Sequence, residues 1–241
     1  MRRFFLTADK KMSENEVLID GSEYVHLNKV LRIGEGEKVV ISFGDGNEHE
    51  ATILKSFKDH AVAQITKTTK CLANPQKNLC VYQAMLKGDK LELVVQKLSE
   101  IGAKRLVVFH SKFTNAKIDD KKVERLCKIA QSASKQCGRS DVLEIEVKKS
   151  LCDILPMLDK SEITIFAYEK ETFNTLSSVD LCNISDCAIV VGSEGGFDEQ
   201  ESQMICKQKN VFVTSLGKRI LRAETASIVL SAIAMHKMGE I

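Results

Sequence analysis

The chain has 241 residues, 44% of them hydrophobic and 28% charged, a soluble globular composition with length enough for one large domain or two small ones. Lys plus Arg number 35 against 33 Asp plus Glu, and the net charge of +2 excludes a protein coated in positive charge while leaving local basic patches open. The start, MRRFFLTADKK, has no signal-peptide core, no apolar run reaches membrane length, and the eight cysteines contain no CxxC pair; a cytoplasmic protein with reduced thiols, no membrane span and no metal is expected.

Arg2–Leu6 reads as a short strand. Ser22 is placed to cap a helix running through Ile33, with Val25, Leu27, Val30 and Leu31 as its apolar face. Strand-like runs follow at Lys38–Phe43, Glu50–Phe57 and Ala61–Thr66. The first two are joined by Gly44–Asn47, a hairpin turn whose residues tolerate positive φ. This is a small β-rich unit compatible with a compact barrel. The polar stretch Thr66–Asn78 holds one of only two prolines and reads as a linker, with 71–78 dividing a first domain, 1–70, from a second, 79–241.

From Leu79 strands and helices alternate. Strands are predicted at Leu79–Ala84, Arg105–Phe109, Val142–Val147, Ile163–Tyr168, Ala188–Val191 and Val211–Thr214. Helices are predicted at Asp89–Ile101, Asp119–Cys137, Leu151–Leu158, from Asp198 to about Lys207, and at Arg222–Met238. Alternating units imply an α/β fold with a parallel sheet covered by helices on both faces. Ligands in such folds bind outside the carboxyl ends of the strands, so the strand exits carry the chemistry.

Three exits stand out. Val190–Phe197 places Gly192, Gly195 and Gly196 between a strand and a capped helix, where missing Cβ atoms allow tight turns and close ligand approach. The spacing is neither GxGxxG, nor a P-loop, nor a GxSxG elbow; from spacing alone, a ligand cradle and a plain tight turn both stay open. Ser215–Ala226 interleaves Leu216, Ile220 and Leu221 with Lys218, Arg219 and Arg222, either a pocket wall with cations at its mouth or a solvated basic edge. Ala167-Tyr168-Glu169 is the third exit. Between Lys112 and Arg139 lie eight cations (Lys112, Lys117, Lys121, Lys122, Arg125, Lys128, Lys135, Arg139) and three acids, a balance of +5 that fits a phosphate backbone or a solvated helix face.

Several strings taken together resemble one family: MRRFF, His26-Leu27-Asn28-Lys29-Val30-Leu31-Arg32, Lys87-Gly88-Asp89, Glu100-Ile101-Gly102-Ala103, Gln136-Cys137-Gly138-Arg139, the GSEGGF turn, and LGKRILRAETA directly after the next strand. They are similar to the RsmE type of 16S ribosomal RNA uridine-N3 methyltransferase in the SPOUT superfamily. The match covers nearly the whole chain; Ser193 stands where such enzymes commonly have Pro. The resemblance implies a PUA-like β-barrel, a SPOUT-type parallel sheet with a C-terminal deep trefoil knot, S-adenosylmethionine as methyl donor, 16S rRNA of the small ribosomal subunit as partner, and a homodimer. It assigns cofactor binding to Ala167, Tyr168, Glu169, Gly192, Ser193, Glu194, Gly195, Gly196, Leu216, Gly217, Ile220 and Leu221. Under it, Arg222 is expected to stabilise the uridine anion, Glu194 or water to take its proton, and Arg3, His26, Lys29, Arg32 and Arg139 to contact RNA. Two other classes remain: a non-catalytic RNA-binding relative, and a metabolic enzyme binding a nucleotide or phosphate at the glycine turn.

Overall fold

The computed structural model describes residues 1–114 and 118–241. The chain forms two compact units. Met1–Asn74 together with Ser134–Val142 make the first, and Pro75–Ala133 with Leu143–Ile241 the second. The short stretch around Arg139 thus groups with residues far earlier in the chain.

The first unit holds one five-stranded sheet: β1 (Arg2–Phe5), β2 (Glu16–Ile19), β3 (Lys38–Ser42), β4 (Asn47–Ser56) and β5 (Ala61–Lys70), in the order β1-β3-β4-β5-β2. β1 runs parallel to β3 and the remaining pairs are antiparallel. Alternation sends Phe4, Val17, Ile19, Val39, Ile41 and Ile53 into one core. β2 was not among the predicted strands: its alternation is only four residues long and follows a polar, acidic stretch. Thr66–Lys70 extends β5.

The predicted helix at Ser22–Ile33 is corrected in kind. An α-helical turn, α1 (Gly21–Val25), passes into a π-helical turn at His26–Leu31, closed by Arg32 at φ 53°. The wider turn rotates the face that meets the core. Tyr24 and Leu27 are buried, whereas Val25 and Val30, expected on the apolar face, are 46% and 63% exposed.

The second unit is a six-stranded, all-parallel sheet: β6 (Asn78–Ala84), β7 (Arg105–Phe109), β8 (Glu144–Lys148), β9 (Ile163–Ala167), β10 (Asp186–Val191) and β11 (Val211–Thr214), ordered β11-β9-β10-β6-β7-β8. The inner strands are short, largely apolar runs because both faces are covered, whereas the edge strand β8 alternates charged and apolar residues. α2 (Lys90–Ile101) and α6 (Ala223–Lys237) pack together, and α6 also meets β6 and β10. α4 (Leu151–Leu158) and α5 (Glu199–Cys206) contribute Ile154, Leu158 and Ile205 to a core with Phe109, Phe166 and Val190. α2 stops at Gly102, whose φ of 99° needs glycine and where a Cβ would sit 2.7 Å from Pro75 Cγ. The long helix α3 spans Asp120–Cys137.

After β8 the chain lays β9 and β10 on the other side of β6, then sends β11 to the far edge beyond β9. That reversal brings the carboxyl ends of β9, β10 and β11 side by side.

Candidate functional site

The three exits enclose one cavity of about 520 Å³, within the usual range for a small-molecule site. Ala167, Tyr168 and Glu169 line it from β9, Gly192–Gly196 from β10, and Leu216, Gly217, Ile220 and Leu221 from β11. Arg222 lines it too, as the extended N-cap residue of α6. The structure therefore brings together every residue named above for the cofactor and for catalysis. Sequence reasoning missed Lys90 and Ala226, which complete the wall from α2 and α6. Lys90's place just past the exit of β6, beside β10, was the available signal.

The glycine turn is shaped by contacts that only glycine permits. A Cβ on Gly192 would lie 3.1 Å from the Gly196 Cα and 3.2 Å from the Phe197 ring. Gly196 sits at φ 68°, and a Cβ there would approach the Glu169 carboxylate to 3.0 Å. The Gly196 N–H donates to the Ser193 carbonyl at 3.0 Å, closing the turn without a proline ring. Ser193 is buried, and its hydroxyl has no partner among the described residues.

Behind the turn lies a residue that sequence reasoning also missed. Gln83, fully buried on β6, donates its side-chain amide to the carbonyls of Gly192 and Ala84, both at 2.9 Å. Its own carbonyl accepts the hydroxyl of buried Ser227 on α6. One amide thus ties the glycine turn to the first turns of α6. The signal was present in the strand itself, since a lone Gln in a run of apolar residues needs buried partners.

The other exits are pinned more lightly. The Tyr168 N–H donates to the Thr214 carbonyl at 3.0 Å, joining the ends of β9 and β11. The Gly217 N–H donates to the Ser215 hydroxyl at 3.2 Å, and Gly217 takes φ 103°. Ile220 stands at the rim, 86% exposed.

Charge is concentrated at the mouth. Glu194 pairs with Lys90 at 2.8 Å and accepts the Lys87 N–H at 3.1 Å. Burial works to raise the Glu194 pKa, but the hydrogen bonds from Lys90, its own N–H and Lys87, with the Lys90 charge, outweigh it and hold the carboxyl below its usual range. The same pairing raises Lys90, aided by Glu194 and Glu224 and opposed by Arg222. Glu224 is buried in the first turn of α6 with one carboxylate oxygen unpartnered among the described residues. Arg222 is exposed, and its guanidinium makes no ion pair or hydrogen bond among the described residues. Burial pushes the Cys80 thiol up to about 11 and Cys187 to about 12, which leaves neither as a nucleophile.

The residues named for RNA differ in exposure and pairing. Lys29 and Arg32 are exposed on the π-helical turn, and His26 is half-buried with its ring against Phe4. Arg3 is tied to Glu48 at 2.5 Å and Ser42 at 3.1 Å. Arg139 is 2% exposed and ion-paired with Asp141 at 2.9 Å. The positive run is partly neutralised: Lys112 pairs with Asp198, Arg125 with Glu92 and Lys135 with Glu23, while Lys122 reaches the Gly88 carbonyl. Lys117 lies outside the described residues.

Residues 73–235 match a family model described as an RNA methyltransferase domain, and residues 19–66 one described as an RNA methyltransferase PUA domain. The chain is 32% identical to the ribosomal RNA small subunit methyltransferase E of Bacillus subtilis, over 97% of this chain and 96% of that one. It is 27% identical to the protein of that name in Helicobacter pylori strain J99, over 92% and 95%. The crystal structure of ribosomal RNA small subunit methyltransferase E from Neisseria gonorrhoeae bound to S-adenosyl methionine superposes with a TM-score of 0.82 at 25% identity, covering 98% of this chain and 97% of that one.

Proposed function

Since the chain belongs to the ribosomal RNA small subunit methyltransferase E family, we propose that its cavity holds S-adenosylmethionine for methylation of a uridine N3 in 16S rRNA. The observation that carries this reading is the convergence of three strand-exit loops, one of them a glycine turn, on one cavity.

The residues fit the cofactor. The glycine turn leaves room where Cβ atoms would collide, Leu216, Ile220 and Leu221 offer an apolar bed for a base, and Lys90 and Arg219 suit a carboxylate. In this reading the main chain of Gly192–Gly196 and Leu216–Leu221 holds adenine and ribose, with Ala167, Tyr168 and Glu169 closing the third side. When bound, S-adenosylmethionine supplies an electrophilic methyl group.

The protein's work is then to position the acceptor and manage its proton. Uridine N3 is an imide N–H, a poor nucleophile until deprotonated. Arg222, unpaired at the cavity wall, places a guanidinium where negative charge on O2 or O4 develops, as an oxyanion hole does. Glu194 is a handicapped base, because its hydrogen bonds and ion pair favour the carboxylate. Water takes the proton in this scheme, and Glu194 braces Lys90 and the Lys87 backbone.

The first unit supplies RNA contacts through Lys29, Arg32 and His26. Arg3 and Arg139 serve the unit's own structure, being ion-paired with Glu48 and Asp141. Lys29→Glu combined with Arg32→Glu is expected to weaken binding to small ribosomal subunits by about tenfold or more at low salt, with the difference shrinking as salt rises. Filter binding across a salt series checks this; an unchanged affinity removes the surface from the account. A homodimer is supported by Ile220, an apolar side chain on the cavity rim that a second copy would cover. No helix among the described residues is long and apolar enough to cross a membrane.

Calorimetry with S-adenosylmethionine tests the cofactor assignment, and one site per chain is expected. No heat with that ligand, together with binding of inorganic phosphate, would favour a metabolic enzyme using the glycine turn.

A further inference from the structure

We propose that a second, shallower cavity of about 450 Å³, walled by Lys87, Lys112, Phe113, Glu194 and Gly195, receives the nucleotide to be methylated, with its base stacked on Phe113 and its phosphate on Lys87. The inference rests on the reading that the adjoining cavity holds S-adenosylmethionine.

Adjacency is the first argument. The two cavities share Glu194 and Gly195. In-line methyl transfer requires the acceptor to contact the donor group, so the acceptor site must adjoin the cofactor cavity.

The lining is the second. Phe113 is 45% exposed, an aromatic face in a position that contributes little to the core. The turn that carries it is nevertheless held firmly. The Thr114 N–H donates to the Ser111 carbonyl at 3.0 Å, and the Ser111 N–H to the Thr114 hydroxyl at 3.0 Å. The Lys112 N–H donates to Glu201 at 2.8 Å, and its ammonium to Asp198 at 2.7 Å. Those two acids form the capping box of α5, so one device both starts that helix and anchors the aromatic turn. Gly195 lets Phe113 seat against the glycine turn, since a Cβ there would lie 2.9 Å from Phe113 Cβ.

A pinned, exposed aromatic beside a free cation is the chemistry of a single-stranded nucleic-acid platform. Lys87 supplies the cation. Its backbone N–H is engaged by Glu194, while its ammonium has no ion pair among the described residues. Lys112 is committed to Asp198 and holds the turn. A target base must leave its stack to be reached, and a waiting ring offsets that cost.

The test uses the full-length protein with Phe113→Leu, Phe113→Trp and Lys87→Ala. Two quantities are measured: the Kd for S-adenosylmethionine by calorimetry, and kcat and KM for methyl transfer to small subunits from a strain lacking the modification. Phe113→Leu is expected to raise KM for subunits by about tenfold, the loss of one base stack, while Phe113→Trp brings KM back to within about threefold of wild type. Lys87→Ala should raise KM with an effect that fades at high salt. Cofactor Kd should stay within about twofold of wild type in all three variants, because none removes a cavity-wall contact to the cofactor. Unchanged kcat and KM in Phe113→Leu, or a Phe113→Trp protein as impaired as Phe113→Leu, would overturn the proposal. A wild-type protein that neither binds S-adenosylmethionine nor methylates subunits would overturn the underlying reading first, before any variant is compared.

Discussion

Arg222→Ala is expected to lower kcat for methyl transfer by about 100- to 1000-fold, the scale of losing one preorganised donor to a developing oxyanion. Cofactor affinity should change little. Arg222 makes no ion pair among the described residues, so its removal strands no buried partner and the start of α6 survives. Its contribution arises only when charge appears on the uracil ring, which places the loss in kcat. Arg222→Lys should recover part of the rate, because an ammonium keeps the charge without the guanidinium's forked geometry. Single-turnover kinetics with saturating cofactor separates this from weak binding. Turnover near wild type in the alanine variant would remove Arg222 from the chemistry.

Gln83→Leu should be the most damaging change outside the cavity wall. The substitution leaves the Gly192 carbonyl and the Ser227 hydroxyl in the core without partners. Each buried orphan costs about 1–3 kcal/mol, so a loss of roughly 2–6 kcal/mol is expected. The melting temperature should fall by roughly 5–15 °C for a chain of this size. Because Gln83 fixes the carbonyl that opens the glycine turn, cofactor affinity should fall with stability. The double variant with Ser227→Ala removes one orphan and should recover part of the loss, a coupling that a mutant cycle in thermal melts and calorimetry measures. Wild-type stability and affinity in Gln83→Leu would show that the turn holds its shape without this anchor.

Much of the second unit was legible in the chain, because its rules are local. Short apolar runs separated by amphipathic stretches specify a parallel sheet. Gly102 marks a helix end through its positive φ, and Asp198 with Glu201 announces the start of α5. The site was legible because strand exits are where such sheets bind ligands and three of them carried unusual residues. What escaped depends on long-range placement. Gln83 meets Ser227 across 144 residues, and nothing near either signals the other. The partial neutralisation of the positive run has the same origin, since Asp198, Glu92 and Glu23 come from distant elements. Net charge over a segment is a local sum, while pairing is a property of the fold. The π-helical turn after α1 was hidden for another reason: a single inserted residue shifts the buried face without altering composition.

Methyl transfer to small ribosomal subunits from a strain lacking the modification, followed by mass mapping of the modified nucleotide, tests the central claim most directly. One methyl group on N3 of a single uridine in 16S rRNA, dependent on S-adenosylmethionine and lost in Arg222→Ala, is the predicted result. No transfer, or a methyl group placed on a ribose or on another base, would contradict it.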